Sequence, residues 1–153
     1  MNLTLSLRRF LVGIPEVTAT VGSDLQWDSW IFRERLYAMV EGSGEVAVVL
    51  NTAGAWTSPN AHNTLRTPRL LIEIYADPTR NSAKQIHERD AGDKALTTFE
   101  AIDRYLHNVS GHATMWDDLR IVKSTRLDEP ELFDVPDGDG LIRAQVFYAV
   151  GVG

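Results

Sequence analysis

Between Pro68 and Pro78 the chain carries a run, Arg69 to Asp77, in which Leu70, Ile72 and Ile74 face one way and Leu71, Glu73 and Tyr75 the other. Side chains that alternate with period two define a strand, and the flanking prolines, which lack a ladder donor, fence its ends. One face is wholly aliphatic and the other half apolar, so this strand needs neighbours on both edges and cover on one face. The run therefore predicts the centre of a sheet roofed by helices.

Two helices are available as the roof. Leu3, Leu7, Phe10, Leu11 and Ile14 recur at helical spacing with Arg8 and Arg9 opposite, which predicts an amphipathic helix ending near Gly13-Ile14-Pro15. A second helix is expected to open after Asp90 as N-cap, with Asp93 three residues on. It should bury Leu96, Phe99, Ile102 and Leu106 and stop at Asn108 to Gly111. Further strands are expected at Glu45 to Leu50, after the Gly42-Ser43-Gly44 turn, and at Asp118 to Thr125. In that second strand Leu119, Ile121 and Lys123 alternate against Arg120, Val122 and Ser124. Another falls at Leu141 to Val150, with Ile142, Ala144, Val146, Tyr148 and Val150 on one face, and it should pair antiparallel with the strand before it. Trp27 to Met39 fits neither period, but its aromatic and β-branched content favours strand. Leu127 to Gly140 reads as an acidic exposed loop, and Asn51 to Thr67 as a long irregular loop of the kind that forms interfaces. The sum is an α+β fold, a mostly antiparallel sheet with two main helices packed on it, in one domain spanning residues 1–153.

Composition excludes several functions. At 153 residues and 44% hydrophobic the chain can bury one sizeable core. A formal charge of −6 argues against holding phosphates by counterion release, and the absence of cysteine removes disulfides, thiolate metal sites and cysteine nucleophiles. No apolar run reaches membrane-spanning length, and Met1-Asn2-Leu3-Thr4 does not begin a signal peptide, so a soluble, unexported protein folded in a reducing cytoplasm is expected. The N-x-S/T matches at Asn2 and Asn108 then carry no glycan meaning.

Catalytic patterns are scarce. The glycines at 42 and 44 precede a strand and so cannot cradle a phosphate at a helix start. His62, His87, His107 and His112 form no H-E-x-x-H pattern. Asp137-Gly138-Asp139-Gly140 lacks the closing glutamate of a calcium loop, and there is no G-x-S-x-G elbow. Asp117 with Asp118, and Glu129 with Glu131, read as surface charge. No catalytic, cofactor or metal residue is assigned. Trp27 and Trp30 are expected in or beside the core. Trp56, in the turn-rich Gly54-Ala55-Trp56-Thr57-Ser58-Pro59, is an equally good core residue or interface anchor. The candidate interface residues are Arg8, Arg9, Trp56, Asn60, His62 and Asn63.

The run Gly54-Ala-Trp-Thr-Ser-Pro-Asn-Ala-His-Asn-Thr64, followed by Thr67-Pro-Arg-Leu-Leu-Ile-Glu-Ile-Tyr-Ala-Asp-Pro-Thr-Arg80, resembles tail terminator proteins of mycobacteriophages and related actinobacterial siphophages. The order of helices and strands along nearly the whole chain is also similar to theirs. The resemblance implies a non-enzymatic virion part in the neck of the tail: a homohexameric ring that caps the tail tube, stops its polymerisation and joins it to the head-completion or connector protein. DNA would pass through the lumen without specific binding, which an acidic wall suits. The alternatives are another neck component, such as a head-closure protein, or a small cytoplasmic enzyme or ligand-binding domain using His62, His87 or Asp90.

Overall fold

The structure, a computed structural model, describes residues 2–57, 66–79, 90–110, 114–136 and 138–153, with the backbone alone described at 54–57 and 66–67. In chain order the elements are α1 (Leu3–Val12), α2 (Pro15–Thr18), β1 (Ile31–Arg33), β2 (Val46–Thr57), β3 (Arg66–Ala76), α3 (Ala91–Leu106), β4 (Val109–Ser110), β5 (Met115–Trp116), β6 (Leu119–Arg126), β7 (Glu131–Asp134) and β8 (Ile142–Val152). The fold is α+β as expected. Among the described residues no helix is long and apolar enough to cross a membrane.

The strands form one sheet in the order β1-β2-β3-β8-β6-β4, with β5 paired to β6 and β7 to β8. β3 sits inside it, as its two-sided pattern required. It pairs antiparallel with β2 through Ile74↔Val48 and Ile72↔Leu50, and with β8 through Ile74↔Ala144 and Ile72↔Val146. The far edge of β8 is shared, with β6 covering residues 148–152 and β7 covering 142–145. Only the β1–β2 pair is parallel among the described strands.

Helices α1 and α3 cover one face. Asn2 caps α1 by accepting from the Leu5 amide at 3.1 Å, and Pro15 opens α2 where no intrahelical donor is needed. Leu7 and Leu11 from α1, and Ile102 and Leu106 from α3, pack with Val48, Leu50, Leu70, Ile72, Ile74, Val146 and Val150 in the main core. In α3 the packed stripe runs through Ala95, Thr98, Phe99 and Ile102, while Leu96 is only partly buried. Asp90 precedes α3 but does not cap it with its side chain. Its carboxylate instead accepts the Thr79 amide at 2.8 Å and hydroxyl at 2.6 Å, fastening the end of the β3 segment to the start of the helix.

A second, smaller cluster lies on the other face, where Trp30, Phe32, Val40, Ala47, Val49 and Leu141 are buried, flanked by Trp27, Leu36, Ala38, Tyr75 and Val135. It explains why Trp27 to Met39 showed no clean period. Only Ile31–Arg33 is strand, and the rest folds across the outer face as cover. The turn that returns the chain to β2 uses Gly42 (φ 84) and Gly44 (φ 71), left-handed conformations that favour glycine. The buried carboxylate of Asp77 locks this turn by accepting the Gly44 amide at 2.7 Å.

Three further sequence expectations are corrected, besides the strand expected over Trp27 to Met39 and the burial expected of Leu96. The interval Asn51 to Thr67 is strand at both ends, because β2 runs to Thr57 and β3 starts at Arg66, with Trp56 in register with Thr67. Leu127 to Gly140 contains β7, which exists because β8 extends past β6 and offers a free edge. In β6 the alternation changes phase: a register shift between Ile121 and Lys123 turns Lys123 outward and buries Ser124.

Candidate interaction surface

Arg8 and Arg9, adjacent in sequence, do different work. The Arg8 side chain leans over β1, its Nε donating to the Ile31 carbonyl at 2.7 Å and its guanidinium lying 6.0 Å from the Trp27 ring. That carbonyl points away from β2, so Arg8 closes an edge group that would otherwise be open to another strand. The neighbouring edge groups are also taken: the Ile31 amide donates to Ser29 O and the Arg35 amide to Arg33 O, each at 2.8 Å. Arg9 points to solvent and meets Asp117 at 3.4 Å, a surface pair of little energetic weight. Asp118 accepts from Ser6 Oγ at 3.0 Å, so the Asp117-Asp118 pair tethers the β5–β6 turn to α1. The backbone of Trp56 lies in β2; its side chain, and all of Asn60, His62 and Asn63, fall outside the described residues. The six candidates are therefore not shown to converge.

The arrangement at the β1 edge is more informative. Leu5, Arg8, Trp27, Phe32, Arg33, Glu34 and Tyr37 line a pocket of about 280 Å³. Its aromatic wall is ordered: Trp27 meets Phe32 edge-on at 5.3 Å and Tyr37 at 5.7 Å, and Arg35 stacks on Tyr37 at 4.8 Å. Arg33 is held by Nε donation to Thr4 Oγ1 at 3.0 Å. The buried indole N–H of Trp27 has no acceptor, an omission that costs free energy unless something supplies one. An apolar side chain accompanied by an acceptor or carboxylate is the complement of such walls.

At the opposite edge stands β7, whose four residues are all exposed. Leu132 and Phe133 remain 45% and 36% accessible, and Arg143 lies 5.1 Å over the Phe133 ring. No periodicity marks this segment, but two large apolar residues within an otherwise acidic stretch were the available signal.

Two ionisable clusters at α3 are held by their own hydrogen bonds. Under α3, Asp103 accepts from Tyr148 Oη and Arg126 Nη1, each at 2.5 Å, and His107 Nδ1 accepts the Arg126 amide at 3.1 Å. Burial first, then the hydrogen bond and the charge of Asp103, push the Tyr148 phenol far above its ordinary range. This set binds α3 to β6 and β8, and the Tyr148 phenol keeps its proton. At Asp90, burial works to raise the carboxyl, but the two Thr79 bonds and then Lys94 outweigh it and hold it below its ordinary value. It is an anchoring anion. His62 and His87 lie outside the described residues, and among the described residues no three His, Asp or Glu side chains converge to hold a metal.

No protein-family model matches the sequence, and no curated protein matches it. Among solved structures, the chain is similar in fold to one from the "Virion of native gene transfer agent (GTA) particle". That match has a TM-score of 0.57 and 14% identity, over 99% of this chain and 95% of that one.

Proposed function

We propose that this chain is a structural virion protein, a tail terminator that forms a hexameric ring on the end of a phage-type tail tube. The reading is carried by the end-to-end likeness of fold to a virion chain, 99% of this chain against 95% of that one. A terminator would be built as a single domain over residues 1–153, and the sequence resemblance at 54–64 and 67–80 supports the same assignment. The physical chemistry agrees. The net charge of −6 suits the wall of a DNA conduit, and the two sheet edges expose apolar side chains of a kind that subunit contacts cover. In this reading the ring meets tail tube protein below and the head-completion or connector protein above, and DNA crosses its lumen unbound.

Sedimentation velocity of the purified chain, alone and with tube protein, is expected to give a discrete hexamer. A monomer in both settings overturns the reading. Particles assembled without the chain should carry abnormally long tails. Normal-length tails with leaking heads would instead make it a head-closure protein.

A further inference from the structure

We infer that the two opposite edges of the sheet are the halves of one head-to-tail contact between copies of this chain, Phe133 of one copy entering the β1-edge pocket of the next while Glu131 meets Arg33. The inference rests on the ring reading and names its interface.

Four observations carry it. First, β2, β3 and β8 separate β1 from β7, four strand steps of about 4.8 Å each. A Phe133 side chain therefore cannot fill the pocket of its own molecule. Second, the pocket straddles the β1 edge, with Phe32 on the outer face and Arg33, in register with Leu50, and the α1 residues Leu5 and Arg8 on the helix-covered side, and the plug projects from the outer face. Phe133 pairs with Arg143, Arg143 with Tyr75 and Tyr75 with Ala47, which belongs to the same outer-face cluster as Phe32. Glu131, two residues before Phe133, projects from that face too. Third, the charges are complementary. Arg8 and Arg33 line the pocket and Arg35 stands on Tyr37, opposed by Glu34 alone. The segment from Asp128 to Asp134 holds Asp128, Glu129, Glu131 and Asp134 and no basic residue; Glu129 is paired with Arg126 and Arg143 lies over Phe133, so Asp128, Glu131 and Asp134 carry the negative charge. Fourth, the pocket's 280 Å³ is of side-chain size, just under the usual small-ligand range of about 300–1,000 Å³. Side-chain docking is favoured over strand addition, since Arg8, Ser29 and Arg35 occupy the Ile31 carbonyl, the Ile31 amide and the Arg33 carbonyl on the outward edge of β1. Different patches meeting head to tail form a heterologous contact, which closes into a ring when the rotation divides the circle.

The test uses one variant of each edge. Phe133→Ala removes the plug; Arg33→Glu spoils the pocket, and Leu5→Arg, on a partly exposed helix position, spoils it without touching the Thr4 bond. Near-ultraviolet circular dichroism checks that each is folded. Each should need about thirtyfold more protein for half-assembly in sedimentation velocity. The mixture is decisive. A plug-less copy still offers a pocket and a pocket-less copy still offers a plug, so the two together should give a species of two subunits and stop. Glu131→Arg combined with Arg33→Glu should restore larger assembly. Rings of normal affinity from the folded single variants, or a mixture that stays monomeric, overturn this interface while leaving the ring reading intact. A wild-type chain that is monomeric even on tail tubes overturns both.

Discussion

Each face of the sheet carries a tyrosine, a carboxylate and an arginine, and the two sets differ in tightness. On the helix-covered face Asp103 takes 2.5 Å bonds from both Tyr148 and Arg126, with the Asp103 and Arg126 side chains 17% and 18% exposed. On the outer face Tyr75 donates to Glu73 at 3.3 Å, Asn51 Nδ2 to Glu73 at 3.4 Å, and Arg143 stands 3.8 Å from the same carboxylate. The Arg143 Nε on that face has no acceptor. The residue types are the same; the cover is different. Both carboxylates are covered alike, Glu73 at 15% and Asp103 at 17%, but α3 also covers Arg126, at 18%, whereas the 34–40 segment reaches only one end of the outer face and Arg143 stays 36% exposed. Dry, complete networks lock elements together, and screened ones contribute little, so the two sets should respond very differently to the same substitutions.

The largest difference is expected from removing a carboxylate under α3. Asp103→Ala leaves the Tyr148 hydroxyl without its acceptor and Arg126 with only the exposed Glu129 at 3.3 Å, and should cost about 3–5 kcal/mol in urea unfolding. A loss below about 1 kcal/mol would show that the inner set is no tighter than the outer.

Alkaline pH separates the two tyrosines next. Burial raises both phenols, aided by Asp103 at Tyr148 and by Glu73 at Tyr75, while Arg143 and Arg126 pull the other way. A folded-state value above the unfolded one near 10 means that the folded chain holds the proton longer. The stabilisation is then complete below pH 10 and is lost as pH climbs beyond it, by up to about 1.4 kcal/mol per unit for each such tyrosine. Tyr148→Phe should flatten the alkaline decline in urea midpoint more than Tyr75→Phe. The reverse order would break the comparison.

Why the sequence showed one face and not the other follows from the same contrast. Positions such as Leu70, Ile72, Ile74, Ala144 and Val146 are buried on one side by regular elements, so their spacing reports the period directly. The segment from Trp27 to Met39 earns its place by covering an outer face, residue by residue, and leaves no period. β7 has no buried residue at all; it is strand because β8 outruns β6, a fact of tertiary length matching. The bulge in β6 moves Ser124 inward without any Gly or Pro to announce it. Arg8 could be chosen from the sequence as an interface residue, but the pocket it lines joins α1 to residues 27–37, and its proposed counterpart lies some 100 positions further on. Contacts of that separation have no local signature.

The smallest expected effect is the sharpest check on the outer face. Glu73→Gln keeps the shape and the amide oxygen for Tyr75 and Asn51 but removes the charge facing Arg143, whose side chain is 36% exposed. At that exposure and a separation of 3.8 Å the pair should be worth less than about 1 kcal/mol and shrink further in high salt. The matching change under α3, Asp103→Asn, keeps the same shape yet leaves Arg126 beside a neutral partner, so its cost should be several times larger and little changed by salt. Urea melts of the two isosteric variants at low and high salt give the ratio directly. Equal costs, or an Asp103→Asn penalty that salt erases, would mean that α3 does not dry the inner set, and that cover is not what distinguishes the two faces.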